Sequence, residues 1–162
     1  MAPKPEGPSL AEAKATQALT LKRQGRLREA ADLLRRVVEL SPGWGSAWND
    51  LGTVYGALKD TERALEAFER ASKLDPGLLA LVTANSVGVR QEAGLMGARH
   101  DELVALDESG QLSVEELFEL GWVLRWRGHE VLAKQVYARF VEQARPEHRQ
   151  LVAQLLPWLY KA

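Results

Sequence analysis

The feature that most constrains this chain is an internal offset. Pro42 and Pro76 stand 34 residues apart, and the same shift carries Ala30 onto Ala64, Leu34 onto Phe68, Val37 onto Ala71 and Leu40 onto Leu74. A fixed period of this size marks stacked helix-turn-helix units, each too small to bury its apolar face alone. The local pattern agrees. Leu27, Ala30, Ala31, Leu34, Val37 and Val38 write one apolar stripe at three- and four-residue spacing, and Leu65, Phe68, Ala71 and Leu74 write another. Ser9 with Glu12, and Ser113 with Glu116, have the spacing of capping boxes that start helices. No segment sustains the period-two alternation of a strand. The chain is expected to be all-α.

The second unit reads Trp48, Leu51, Gly52, Tyr55, Ala64, Phe68, Ala71 and Pro76. In this it resembles the tetratricopeptide repeat at each of that repeat's eight signature positions. The first unit resembles it less fully, with Ala18, Leu21, Gly25, Ala30, Leu34 and Pro42 in place but Lys14 where tryptophan would stand. A further unit carries Leu117, Leu120, Gly121, Leu124, Gly128, Ala133 and Tyr137, and ends one residue late at Pro146. Small residues at Ala30, Gly52, Ala64, Gly121 and Ala133 let two helices approach closely, and large neighbours fill the space between units.

Between Pro76 and Val114 the pattern fades. One frame leaves Asn85 and Glu102 at apolar positions; the next rescues Gly94, Leu103 and Leu106 but installs Arg99 where a small residue belongs. This is read as a degenerate third repeat with a shortened second helix. The resemblance implies a right-handed solenoid of antiparallel helix pairs, with repeats at 9–42, 43–76, 77–112 and 113–146. Residues 147–162 are expected to cap the last exposed core with Leu151, Val152, Leu155, Leu156 and Leu159, and Pro157 to kink or end that helix before Trp158. The proline-rich residues 1–8 read as a disordered tail without the apolar stretch of a secretory signal.

Composition removes several function classes. The 162 residues carry 21 Lys and Arg against 22 Asp and Glu, a balance without the positive field that a phosphate backbone selects. There is no cysteine, so neither disulfides nor thiolate chemistry arises. His100, His129 and His148 fall in different units without ligand spacing, and are read as solvated residues near helix starts. No nucleophile stands beside a base, so no enzymatic reaction, cofactor or metal is expected. Apolar runs are too short to span a bilayer, which makes the cytoplasm the simplest address, and the Arg, Ala and Leu richness is of the kind GC-rich bacterial genomes produce.

The resemblance implies that the first helix of each pair lines a groove that takes a partner peptide or helix. Its groove positions carry over to Ala15, Leu19, Lys22 and Arg23 in the first unit and to Asn49, Asp50, Thr53 and Ala57 in the second. In the third they fall on roughly Thr83, Val87, Arg90 and Gln91, and in the fourth on Phe118, Glu119, Trp122, Arg125 and Trp126. One subset of the family grips the C-terminal carboxylate of heat-shock chaperones; the matching positions here hold Ala15, Leu19, Asp50, Ala80 and Ala84, which lack the required cations and amides. Phe118, Trp122 and Trp126 follow i, i+4, i+8 along one side of a helix. Either they pack on the third repeat or they form an exposed patch that, with Arg125, has the composition of a binding hot spot.

The leading expectation is an adaptor or scaffold binding another protein. A secretion-type chaperone holding a client is the alternative within the binding class. A self-assembling structural subunit is the third, and a homodimer through the C-terminal helix would use Val152, Leu156 and Trp158.

Overall fold

The computed structural model describes residues 9–160; the tail expected at residues 1–8 lies outside them. Among the described residues every regular element is a helix. They are α1 (Leu10–Arg23), α2 (Leu27–Leu40), α3 (Gly45–Ala57), α4 (Thr61–Leu74), α5 (Leu79–Glu92), α6 (Met96–Glu108), α7 (Val114–Trp126), α8 (Glu130–Gln143) and α9 (Arg149–Leu159). The chain divides into two compact units, residues 1–75 and 76–162.

In the first unit α1 packs on α2, α2 on α3 and α3 on α4. Ala18, Ala30, Leu34, Val37, Leu51, Val54, Ala64, Phe68 and Ala71 are all buried there. The small positions are small for a measurable reason. A Cβ on Gly52 would stand 2.6 Å from the Phe68 ring, and one on Gly121, in the second unit, 2.6 Å from the Tyr137 ring. Ordinary contacts do not come this close, so glycine alone lets the large ring of the second helix lie flat against the first.

The turn inside each pair is the same device four times. Gly25, Lys59, Gly94 and Gly128 all adopt positive φ, and the following N–H reaches back to the carbonyl five residues earlier. These bonds run Arg26 to Leu21, Asp60 to Tyr55, Leu95 to Arg90 and His129 to Leu124, at 2.8–2.9 Å. This is a Schellman closure, which satisfies the last carbonyls of the first helix and points the chain back along it. It fixes the register of the third pair on Gly94, so Arg99 does occupy the small position. The expected shortening of the second helix amounts to one residue: α6 runs 13 residues against 14 in α2, α4 and α8, and ends on a further closure, with Gly110 at positive φ and the Gln111 N–H on the Leu106 carbonyl.

The second unit is less regular. α7 and α8 pack along their length as the pairs of the first unit do, whereas α5 and α6 touch each other only briefly and both reach α7. Leu103, Leu117, Phe118, Leu120, Val123, Tyr137 and Phe140 form its center. α9 covers α8, burying Leu155 and packing Leu151, Val152, Trp158 and Leu159 on the same core. Val152 and Trp158, named above for a homodimer surface, are part of the cap. Pro157 does not stop the helix before Trp158; it sits in the last turn and α9 continues to Leu159. Both predicted capping boxes form: Ser9 with Glu12 and Ser113 with Glu116 exchange hydrogen bonds of 2.6–3.2 Å.

His148 corrects the reading of the histidines as solvated. It is buried, its ring 5.6 Å from that of Phe140, because the turn at Pro146–His148 folds it under α9. Its Nδ1 accepts the Arg145 N–H at 3.3 Å, and Nε2 has no hydrogen-bond partner among the described residues, with Glu115 3.9 Å away. His129 is exposed, and His100 is partly covered beside Asp101.

Candidate functional site

The first helices of the first unit, α1 and α3, share a polar face. The Lys22 ammonium donates to Thr53 Oγ1 at 2.7 Å, and that hydroxyl donates to the Asp50 carbonyl at 2.8 Å. Burial pushes the Asp50 carboxyl above its ordinary value, and Lys22 pulls it only part of the way back. Lys22, Asp50 and Thr53 are half-buried, Arg23 and Leu19 are exposed, and Ala15 and Asn49 are buried. The structure thus brings together three of the predicted contact residues, leaves Arg23 exposed with its guanidinium toward Thr20, and withdraws Asn49 from the surface.

In the second unit the predicted aromatic line is split. Phe118 is 1% exposed, with ring centroids 5.6 Å from Tyr137 and 5.3 Å from Phe140 on α8. As a surface contact it is wrong. It faces the second helix of its own pair, because α7 is covered on two sides and the core stripe is wider than Leu117, Leu120 and Leu124. Trp122 is half-buried, 6.2 Å from the Phe118 ring, and packs on the edge of that core. Trp126 is 50% exposed. Arg125 lies over the Trp158 ring at 4.9 Å, with the Lys134 ammonium 5.6 Å from the same ring.

Arg90 is also not a free contact. With Arg99 it clasps Glu119, and all three side chains are only 12–16% exposed. Arg90 reaches Glu119 Oε1 at 2.7 Å, while Arg99 binds both oxygens, Nε to Oε1 at 3.2 Å and Nη2 to Oε2 at 2.6 Å. Arg99 also meets Glu102 at 2.8 Å. Burial lowers the Arg90 guanidinium despite Glu119. Burial acts on Arg99 in the same sense, but Glu119 and Glu102 more than reverse it and leave Arg99 above its usual range. The large residue at the small position is thus the centre of an ion network that joins α5, α6 and α7. Of the other groove positions, Thr83 and Val87 are buried and Ala57 and Gln91 exposed.

One surface escaped the sequence reading. Trp48 and Tyr55, taken as filling between units, also wall a furrow on α2, α3 and α4, where Arg70 lies over the Trp48 ring at 4.7 Å and Arg63 over Tyr55 at 4.8 Å. Two adjoining cavities of about 240 and 380 Å³ share Arg35, Tyr55 and Arg63. The i, i+22 and i, i+8 spacings from Trp48 to Arg70 and from Tyr55 to Arg63 hold no helical signal, which is why only the fold reveals them. Each of the three arginines is already paired with a carboxylate one turn away on its own helix.

Helix pairs closed four times by the same turn, two of them seated through a glycine against a ring, define a helical-repeat protein. Residues 45–78, which hold α3, α4 and the turn between them, match the family model of the tetratricopeptide repeat. Repeats of this kind generally mediate protein–protein interaction and are typically non-catalytic. No curated protein matches the chain. Among the described residues, no helix is long and apolar enough to cross a membrane.

Proposed function

We propose that this chain is a non-catalytic adaptor that binds a polypeptide partner on the first-helix faces of its pairs. The observation that supports this best is the convergence of Lys22, Asp50 and Thr53 on α1 and α3. These are charged and hydrogen-bonding groups held half-buried. A half-buried carboxylate above its ordinary pKa gains from a partner that supplies a cation or N–H donors, and it repels a terminal carboxylate. The partner segment is therefore an internal peptide or helix that offers a basic or amide group to Asp50. Trp122, Arg125 and Trp126 supply a second contact face in the second unit, without Phe118 and Arg90.

The test is affinity capture from the source cell with the tagged full chain. Asp50→Arg should lose the captured partner while the circular dichroism melt stays within a few degrees of the parent. A partner retained at full yield by both Asp50→Arg and Lys22→Glu would refute this face.

A further inference from the structure

The repeated turn gives an internal ruler. Counting from Gly25, Lys59, Gly94 and Gly128, the third and fourth residues onward are Arg28 and Glu29, Glu62 and Arg63, Gly97 and Ala98, and Val131 and Leu132. The second residue before is Arg23, Ala57, Glu92 and Trp126. Three hairpin ends carry charged or small side chains at these places, as solvent demands. The fourth carries a tryptophan, a valine and a leucine that are 50%, 71% and 50% exposed. None of the three belongs to the packed core of the second unit.

The hairpin that carries this apolar end is cationic. Arg125, Arg127 and Lys134 stand against one carboxylate, Glu130, in a chain whose formal net charge is −1. Arg125, Arg127 and His129 are exposed. A second copy of the chain would set like charges against each other here. The apolar side chains sit at the end of a hairpin rather than in the furrow of the first unit, so an occupant that yields to their shape suits them better than a rigid one.

We propose that the α7–α8 hairpin end docks on an anionic bilayer surface. Trp126 lies at the headgroup level, Val131 and Leu132 reach the acyl boundary, and Arg125 and Arg127 meet lipid phosphates. The insertion is shallow and reversible, since three side chains and a few cations give far less than a spanning helix. The site does not use the α1–α3 face, but it shares Arg125 and Trp126 with the adaptor's second face, so the test below changes Val131, Leu132 and Arg127, which the adaptor reading does not use.

The experiment is co-sedimentation of the full chain with large vesicles of phosphatidylcholine containing phosphatidylglycerol, and with vesicles of phosphatidylcholine alone. Binding to the anionic vesicles should exceed that to the neutral ones by at least ~10-fold and fall as salt is raised. The double variant Val131→Ser, Leu132→Ser should lower partitioning by ~10-fold or more with an unchanged melt, because both side chains are exposed. Arg127→Glu should weaken it in the same direction. Failure of the parent chain to sediment with anionic vesicles overturns the proposal, as does binding that the double variant leaves intact. Loss of an acidic protein partner by the double variant, with vesicles ignored by the parent, would make this end a protein-docking site instead.

Discussion

Glu119 offers the sharpest test of how the irregular part of this chain holds together. Its carboxylate accepts from Arg90 and, through both oxygens, from Arg99. At a separation of 4 Å and an effective dielectric near 20, each such attraction is worth roughly 4 kcal/mol before desolvation is charged against it. Glu119→Ala removes the anion and leaves two guanidiniums facing each other, the situation in which breaking a buried pair costs about 3–5 kcal/mol. Here the side chains keep 12–16% exposure and Glu102 holds part of Arg99, so the expected loss is about 2–4 kcal/mol. Glu119→Gln keeps one acceptor oxygen and should lose less. Urea unfolding followed by circular dichroism gives the size, and amide exchange gives the place: protection should fall in α5, α6 and α7 while α1 to α4 keep theirs. Replacing all three residues together, Arg90→Met, Arg99→Met and Glu119→Leu, should recover most of the loss, since the buried charges go together and Glu102, 59% exposed, is left to solvent. A Glu119→Ala variant within about 0.5 kcal/mol of the parent would refute the reasoning, because surface pairs alone lie in that range.

Gly121→Ala places a Cβ 2.6 Å from the Tyr137 ring and should cost about 1–3 kcal/mol, read as a lowered urea midpoint. Lys59 is the one non-glycine at positive φ among the described residues; Lys59→Gly should raise stability by about 0.5–1 kcal/mol in the same assay. Asp50→Asn should stabilise the chain at neutral pH. The folded carboxyl has a raised pKa, so its ionisation opposes folding above that value, and the opposition fades as pH falls through it. The gap between the variant and the parent should therefore close on acidification below the ordinary carboxylate range, and a gap that widens instead would contradict the assignment.

The regular pairs were legible because each signature residue acts within a span of about thirty residues. Gly52 implies the ring of Phe68, and Gly121 that of Tyr137, once the period is seen. The third pair was not, because Arg99 departs from the pattern for the sake of Glu119, twenty residues further on. A charged residue at helical spacing looks like a solvated face until its partner is known. Phe118 misled for a related reason. Neighbouring positions on α7 differ by a third of a turn, and the sequence does not say how wide the covered stripe is. The burial of His148 depends on how one short turn tucks under α9. Gly25, Gly94 and Gly128 mark the same closure, and their spacing alone fixes the third register.

That closure also dictates where the chain can change length. A residue inserted between the left-handed position and the helix before it would break the five-residue reach of the returning N–H and swing the second helix off its glycine seat. A residue inserted between pairs breaks no such bond. The chain already shows the difference, since the step from Lys59 to Gly94 is 35 residues while those on either side are 34. Insertions and deletions among descendants of this sequence should therefore gather near residues 41–44, 75–78, 111–113 and 144–148, leaving the length of each hairpin fixed over evolutionary time.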